Sequence, residues 1–296
     1  MTDYANRSAR GRAPDDDEAT LRTRLEADRE RDRRRAALGL IDLADDGGLT
    51  PATIGGLTEL VLADDSPDVR QFAVEALGLA AGADGGDAAG DAIRAALNDD
   101  HEWVRAEAVV AQSRAEPGND GRLREALEDD SGWVRRNAVI ALSKTGAASQ
   151  ELLIEQLKHD PHSGVREYAA DYLREYADDV SETVRILAAV LARDPEAFVR
   201  AKAATSLGDL GTDRAEEVLE RHGLNDRSDD VRRSAKRALA TARGVDPEQI
   251  DAGLDDDAAP GGGPGSRREQ ERQGPGPGQG PAGSIDGLTQ GQRDRR

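Results

Sequence analysis

One signature, an Asp followed by four variable residues and then Val-Arg, recurs six times along the chain. The copies are Asp64 with Val69-Arg70, Asp99 with Val104-Arg105, Asp129 with Val134-Arg135, Asp160 with Val165-Arg166, Asp194 with Val199-Arg200 and Asp226 with Val231-Arg232. Successive copies lie roughly 30–35 residues apart, the period at which one supersecondary unit stacks on the next. Such an array buries its core between neighbours, so the 296 residues do not by themselves set a domain count. It offers a long surface rather than a central hole.

Within each copy the apolar spacing is helical. After Trp133, the residues Val134, Ala138, Ala141 and Leu142 fall at i, i+4, i+7 and i+8 and form one buried stripe. Ala recurs at the same two positions as Ala73/Ala76, Ala108/Ala111 and Ala235/Ala238, which lets neighbouring helices come close. A preceding apolar segment, such as Leu57, Leu60 and Val61, supplies a first helix to each pair. Residues 1–16 are polar and are expected to form a disordered arm. Residues 17–244 are expected to hold the repeats. Residues 245–296, rich in Gly and Pro, are expected to be a disordered acidic tail, because they carry too little apolar surface to offset chain entropy.

Charge narrows the range of partners. Asp and Glu number 59 against 40 Lys and Arg, for a formal net charge of -19, and only Lys144, Lys158, Lys202 and Lys236 are lysines. Excess acid with scarce Lys and few aromatics resembles proteins of salt-in halophilic archaea, in which molar salt screens the self-repulsion to a Debye length of about 3 Å. Nucleic acid, which is held by Lys and Arg on phosphates, is not expected as a partner. Cysteine is absent, which removes disulfides, thiolate nucleophiles and Cys-ligated zinc. The longest apolar run, residues 186–192, is too short to span a bilayer, and the start lacks a signal-peptide core. A cytoplasmic protein without a membrane partner is expected.

The signature as a whole, Asp-x-x-x-x-Val-Arg-x-x-Ala-x-x-Ala-Leu, resembles the HEAT repeat in the short HEAT-like form known from phycocyanobilin lyases. The six copies cover residues 51–242. A degenerate seventh precedes them, with Arg33, Ala36 and Leu40 in register and Asp32 where Val belongs. The resemblance implies an all-α, right-handed alpha-alpha superhelix with the second helix of each pair on the concave side. It also implies that the signature Asp caps the second helix and that the Arg reaches an acidic turn residue of an adjacent repeat, as an exposed ion-pair ladder. Enzymes of the same repeat class are less well matched. The His-Glu pairs of deoxyhypusine hydroxylases are represented once, by His101-Glu102. No tetrapyrrole pocket is evident, and the basic groove of alkylpurine glycosylases conflicts with the charge balance. Neither metal nor cofactor is expected.

Aromatic placement is the best local clue to a binding face. Trp103, Trp133 and Phe198 all precede the Val-Arg pair, so stacking would put the two Trp in one row, with Gly164 leaving a gap before Phe198. The rings suit an interface hot spot, or alternatively pack against the preceding turn. Tyr168, Tyr172 and Tyr176 form an i, i+4, i+8 stripe read as lying on one helix, with Tyr172 where other copies carry Ala. That implies a bend there, or a recognition stripe. Arg29, Arg31, Arg33, Arg34 and Arg35, and then Arg232, Arg233, Lys236, Arg237 and Arg243, are read as solvated end faces or as sites for an acidic protein. The expected function is a non-catalytic scaffold or adaptor that binds another protein, with signalling as one setting. Its partner-binding residues are expected to be Trp103, Trp133, Arg136, Glu167, Tyr168, Phe198 and Arg233.

Overall fold

The computed structural model describes residues 16–84 and 86–250, which form helices and, among the described residues, no strand. Seven helix pairs follow one another. They are α1 (Glu18–Leu25) with α2 (Glu30–Gly47), α3 (Pro51–Ala63) with α4 (Pro67–Asp84), α5 (Gly86–Ala96) with α6 (Glu102–Ala115), and α7 (Gly121–Glu125) with α8 (Gly132–Lys144). Then come α9 (Gln150–His159) with α10 (Ser163–Tyr172), α11 (Val180–Arg193) with α12 (Ala197–Leu210), and α13 (Asp213–Val218) with α14 (Asp229–Arg243). The second helices α2, α4, α6, α8, α10, α12 and α14 pack side by side in that order. The molecule is a helical-repeat solenoid.

The amphipathic stripe of each second helix explains the stack. Val69, Val104, Val134, Val165, Val199 and Val231 are buried, as are Ala73, Ala108, Ala138, Ala169, Ala203 and Ala235. Close approach is most pronounced at two glycines. A Cβ on Gly78 would lie 2.6 Å from the Ala111 methyl, and one on Gly208 would lie 2.6 Å from Ala238 Cα. At the position that holds Leu77, Leu142, Leu173, Leu207 and Leu239 elsewhere, α6 carries the buried Gln112, whose amide donates to Glu116 at 2.9 Å. The apolar core correspondingly falls into two clusters that meet at α6. Val104, Ala108 and Ala111 belong to one cluster, and Ala106 and Val109 to the other.

Signature Arg and Asp residues lock each repeat to the next. Arg70 donates through Nε and Nη2 to the two carboxylate oxygens of Asp99, both at 2.7 Å, and through Nη1 to the Asp64 carbonyl at 2.9 Å. The same fork joins Arg33 to Asp64, Arg105 to Asp129, Arg135 to Asp160, Arg166 to Asp194 and Arg200 to Asp226. The degenerate first unit thus contributes a full rung through Arg33, although Ala27 stands where later copies place their Asp and supplies only its carbonyl. At the other end Arg232 holds the Asp226 carbonyl and pairs with Asp229 on its own helix.

Two expectations about the signature are corrected. The ladder is not exposed: its Arg side chains retain only 4% to 18% of their accessible surface and its Asp side chains 2% to 14%. Nor does the Asp cap the second helix. It stands two residues before the cap position, and its Oδ1 accepts the N–H two residues on, as from Ser131 at 2.8 Å and His162 at 2.7 Å. Its carboxylate is committed to closing that turn and to the incoming guanidinium, so it points away from the helix terminus.

Further differences lie at α10 and at the C-terminal end. α10 stops at Tyr172, so Tyr176 is not on the same helix; it lies in the following turn and its hydroxyl donates to the Ser143 carbonyl. The large Tyr172 side chain takes an Ala position, and the shortened helix accommodates it. After Gly244 ends α14 with a left-handed conformation, Pro247–Gln249 forms a 3-10 turn and Ile250 is buried against the last repeat, where the sequence reading begins a disordered tail. The rest of that tail, and residues 1–15 of the arm, lie outside the described residues.

Removing one member of a buried, forked pair leaves the other charge stranded, so Arg200→Ala should cost about 3–5 kcal/mol. Arg24→Ala, from the more exposed pair with Asp16, should cost about 1 kcal/mol or less. Urea unfolding of both variants checks the difference. Burial pushes the Asp99, Asp129 and Asp226 carboxyls up, but hydrogen bonds from the Arg fork and the backbone outweigh it, and all three sit below their ordinary value. A lowered folded-state pKa contributes stability that is complete above the unfolded value of about 4 and lost as pH falls below it. Urea midpoints should therefore hold between pH 7 and pH 5 (about the upper limit of that range) and drop on further acidification. Gly→Ala in a helix ordinarily stabilises by about 1 kcal/mol. Gly55→Ala, with open space around its Cβ, should raise Tm, whereas Gly208→Ala should lower it by collision with Ala238.

Candidate second-helix interface

The signature positions place the aromatic residues on the exposed side of the second helices. Trp103 on α6 and Trp133 on α8 lie with ring centroids 5.3 Å apart and planes tilted by 34°. The row continues to His162, whose ring meets Trp133 edge-on at 4.9 Å. His162 fills the gap that the sequence leaves at Gly164. Its Cε1 would be 3.0 Å from a Cβ on Gly164, and its ring lies where a Cβ on Gly132 would stand. Two glycines flanking one His are the signal that sequence reasoning missed.

Arg136 joins this row to the next helix. Its guanidinium lies 5.7 Å from the Trp133 ring centroid and 4.6 Å from that of Tyr168, and Nη2 donates to the Tyr168 hydroxyl at 3.0 Å. A cation held over two aromatic faces keeps their orientation fixed. Tyr168 in turn stacks with Tyr172 at 6.4 Å. Burial pushes the Tyr172 hydroxyl up to about 12, with the charges of Asp171 and Glu175 adding to it. Arg34 repeats the motif near the start of the stack, 5.4 Å from the Phe72 ring centroid.

Of the seven residues expected from the sequence, five gather around this row. Trp103, Trp133, Arg136 and Tyr168 are in mutual contact as described. Glu167 neighbours them on α10, where burial raises its carboxyl pKa against the opposing pull of Lys202 and Arg136. Phe198 on α12 and Arg233 on α14 are carried two and three repeats beyond α8, and Arg233 pairs with Asp230 on its own helix at 2.7 Å. Several residues of the two basic clusters are likewise engaged within the fold: Arg33 in the ladder, Arg34 with Asp68 at 3.5 Å and Arg243 with Glu216 at 2.8 Å.

His101 occupies the cap position of α6, and the Glu102 carboxylate accepts from the Ser131 hydroxyl. Among the described residues no three His, Cys, Asp or Glu side chains gather as a metal set. No helix of the described residues is long and apolar enough to cross a membrane.

A family profile described as HEAT repeats matches residues 54–120, 118–174 and 150–240. Among solved structures, the Escherichia coli protein YibA is 22% identical with a TM-score of 0.56, covering 81% of this chain and 88% of its own. A complex of CpcE and CpcF of phycocyanin lyase from Nostoc is 18% identical with a TM-score of 0.49, over 83% of this chain and 92% of that one. Human deoxyhypusine hydroxylase is 24% identical with a TM-score of 0.37, over 77% and 84%. No curated protein sequence matches. With its ladder, its paired helices and a profile match over most of its length, the chain belongs to the HEAT-repeat family.

Proposed function

We propose that this protein is a non-catalytic adaptor, acting in the cytoplasm, that binds another protein on the exposed face of its second helices. The observation that carries the reading is the Trp103–Trp133–His162 row braced by Arg136 and Tyr168. Each of these side chains is only partly buried, yet each is held by a neighbour. Rings fixed in place before binding lose little entropy on contact, which is what an interface hot spot requires. The ladder beneath keeps one repeat in register with the next, so a partner that spans several repeats meets a pre-ordered surface. A bridge between components of a signalling assembly is one use to which such a face is suited.

Capture from a lysate of the native host, with the purified full chain as bait, tests this. Trp103→Ala/Trp133→Ala should lose the bound partner, because truncating a hot-spot ring typically costs about 2 kcal/mol or more, roughly thirtyfold in affinity. Leu62→Ser, on the exposed side of α3, should retain it. Equal capture by wild type and the double Trp variant would remove the aromatic row from the interface.

A further inference from the structure

The local charge along α6 and α8 runs against that of the whole chain. Trp103, Val110 and Arg114 on α6, and Trp133, Arg136, Ile140 and Lys144 on α8, fall at spacings that share one face of each helix. The two helices pack side by side and the Trp rings touch, so the stripes run together. From the Trp level to the Arg114 and Lys144 level the distance is about 16 Å, at about 1.5 Å per residue. Lys144 is exposed, and the other six are partly so.

Three cations and two aliphatic side chains thus line a stripe headed by two indoles, in a protein of net charge -19. A position at a helix C-terminus accounts for one cation such as Lys144. It does not account for Arg136 near the start of the same helix, or for Val110 and Ile140 between them. Partial desolvation and the charge of Arg114 push the Lys144 ammonium pKa down. A pair of like charges held together in this way gains from an incoming carboxylate. The next helix, α10, presents Glu167, Asp171 and Glu175 at the corresponding positions. A polyanion as broad as nucleic acid would meet those carboxylates, whereas a single narrow chain lying along α6 and α8 would not.

Building on the adaptor reading, we propose that the α6–α8 stripe binds an acidic peptide segment of its partner. Apolar side chains of that segment lie on the indoles, Val110 and Ile140, and its carboxylates meet Arg136 at one end and Lys144 with Arg114 at the other. The segment needs about three helical turns, or about five extended residues, to reach from one cationic end to the other. Rim charges of this kind select the partner and set its direction, while the rings supply most of the affinity.

Selection of a displayed library of random 16-residue peptides (about three residues longer than the stripe needs in helical form) on the purified full chain tests the proposal. Recovered peptides should be rich in Asp and Glu interspersed with Leu, Ile or Phe. In anisotropy titrations, Lys144→Glu and Trp133→Ala should each weaken them by about tenfold or more, with circular dichroism unchanged, and Leu62→Ser should have no effect. Basic peptides, no recovered peptides, or binding indifferent to Lys144→Glu and to Ile140→Ser would overturn the proposal. If binding then depended on Phe198→Ala or Arg233→Glu, the adaptor reading would stand and only this stripe would be wrong. If nothing recovered responded to any second-helix substitution, or if only nucleic acid bound, both would fall.

Discussion

Everything in this structure is referenced to the forked Arg–Asp pair that crosses each repeat boundary. A guanidinium has five donors in a fixed plane. Here Nε and Nη2 take the next repeat's carboxylate while Nη1 takes a carbonyl of its own turn, as Arg135 does with Asp160 and with the Asp129 carbonyl. One side chain therefore fixes the turn that precedes its helix and the turn that precedes the next. Hydrophobic burial drives the stacking, but it is non-directional; the fork adds direction. Charged groups this far removed from water are costly unless their hydrogen bonds are met, which explains why the carboxylate also accepts a backbone N–H.

The ladder is regular, and the helices it aligns are not. α6 places Gln112 where other repeats bury Leu, and α10 places Tyr172 where others bury Ala or Ser. These departures sit on either side of α8, and α8 is where Trp133 and Arg136 project. A polar seam on one side and a bulky ring on the other mean that the second helices there cannot close as tightly as α4 on α6 or α12 on α14, where glycine meets alanine. The space between helix faces is filled by rings and a guanidinium instead. The aromatic row is thus a consequence of the same substitutions that break the repeat pattern.

Much of this was legible in the residues, because periodicity reports what repeats. Helix pairs, the buried Val and Ala stripe, and the Arg33 rung inside a degenerate unit all follow from spacing. What spacing does not report is where a side chain turns once its own rung is made. The Asp was read as a cap because Asp before a helix commonly is one; only the geometry shows its oxygens claimed by the neighbour's guanidinium. His162 was invisible as a member of the Trp row because it is two residues out of register with Trp133. It enters the row only because Gly132 and Gly164 leave room for its ring. Tyr176 was assigned to a helix by its i+8 spacing, and the helix had already ended.

A solenoid with so acidic a composition has a particular problem of selectivity. Its general surface repels acidic partners and attracts basic ones without discrimination, and salt weakens both effects. A cationic and aromatic stripe reverses the sign over one short stretch. The long-range field then opposes an acidic partner's approach, and only a segment that reaches α6 and α8 gains the local contacts. Specificity arises there from repulsion everywhere else as much as from attraction at the site. The adjacent acidic positions on α10 sharpen the boundary. A partner broad enough to cover both helices must match a change of sign within one inter-helix spacing, about 10 Å.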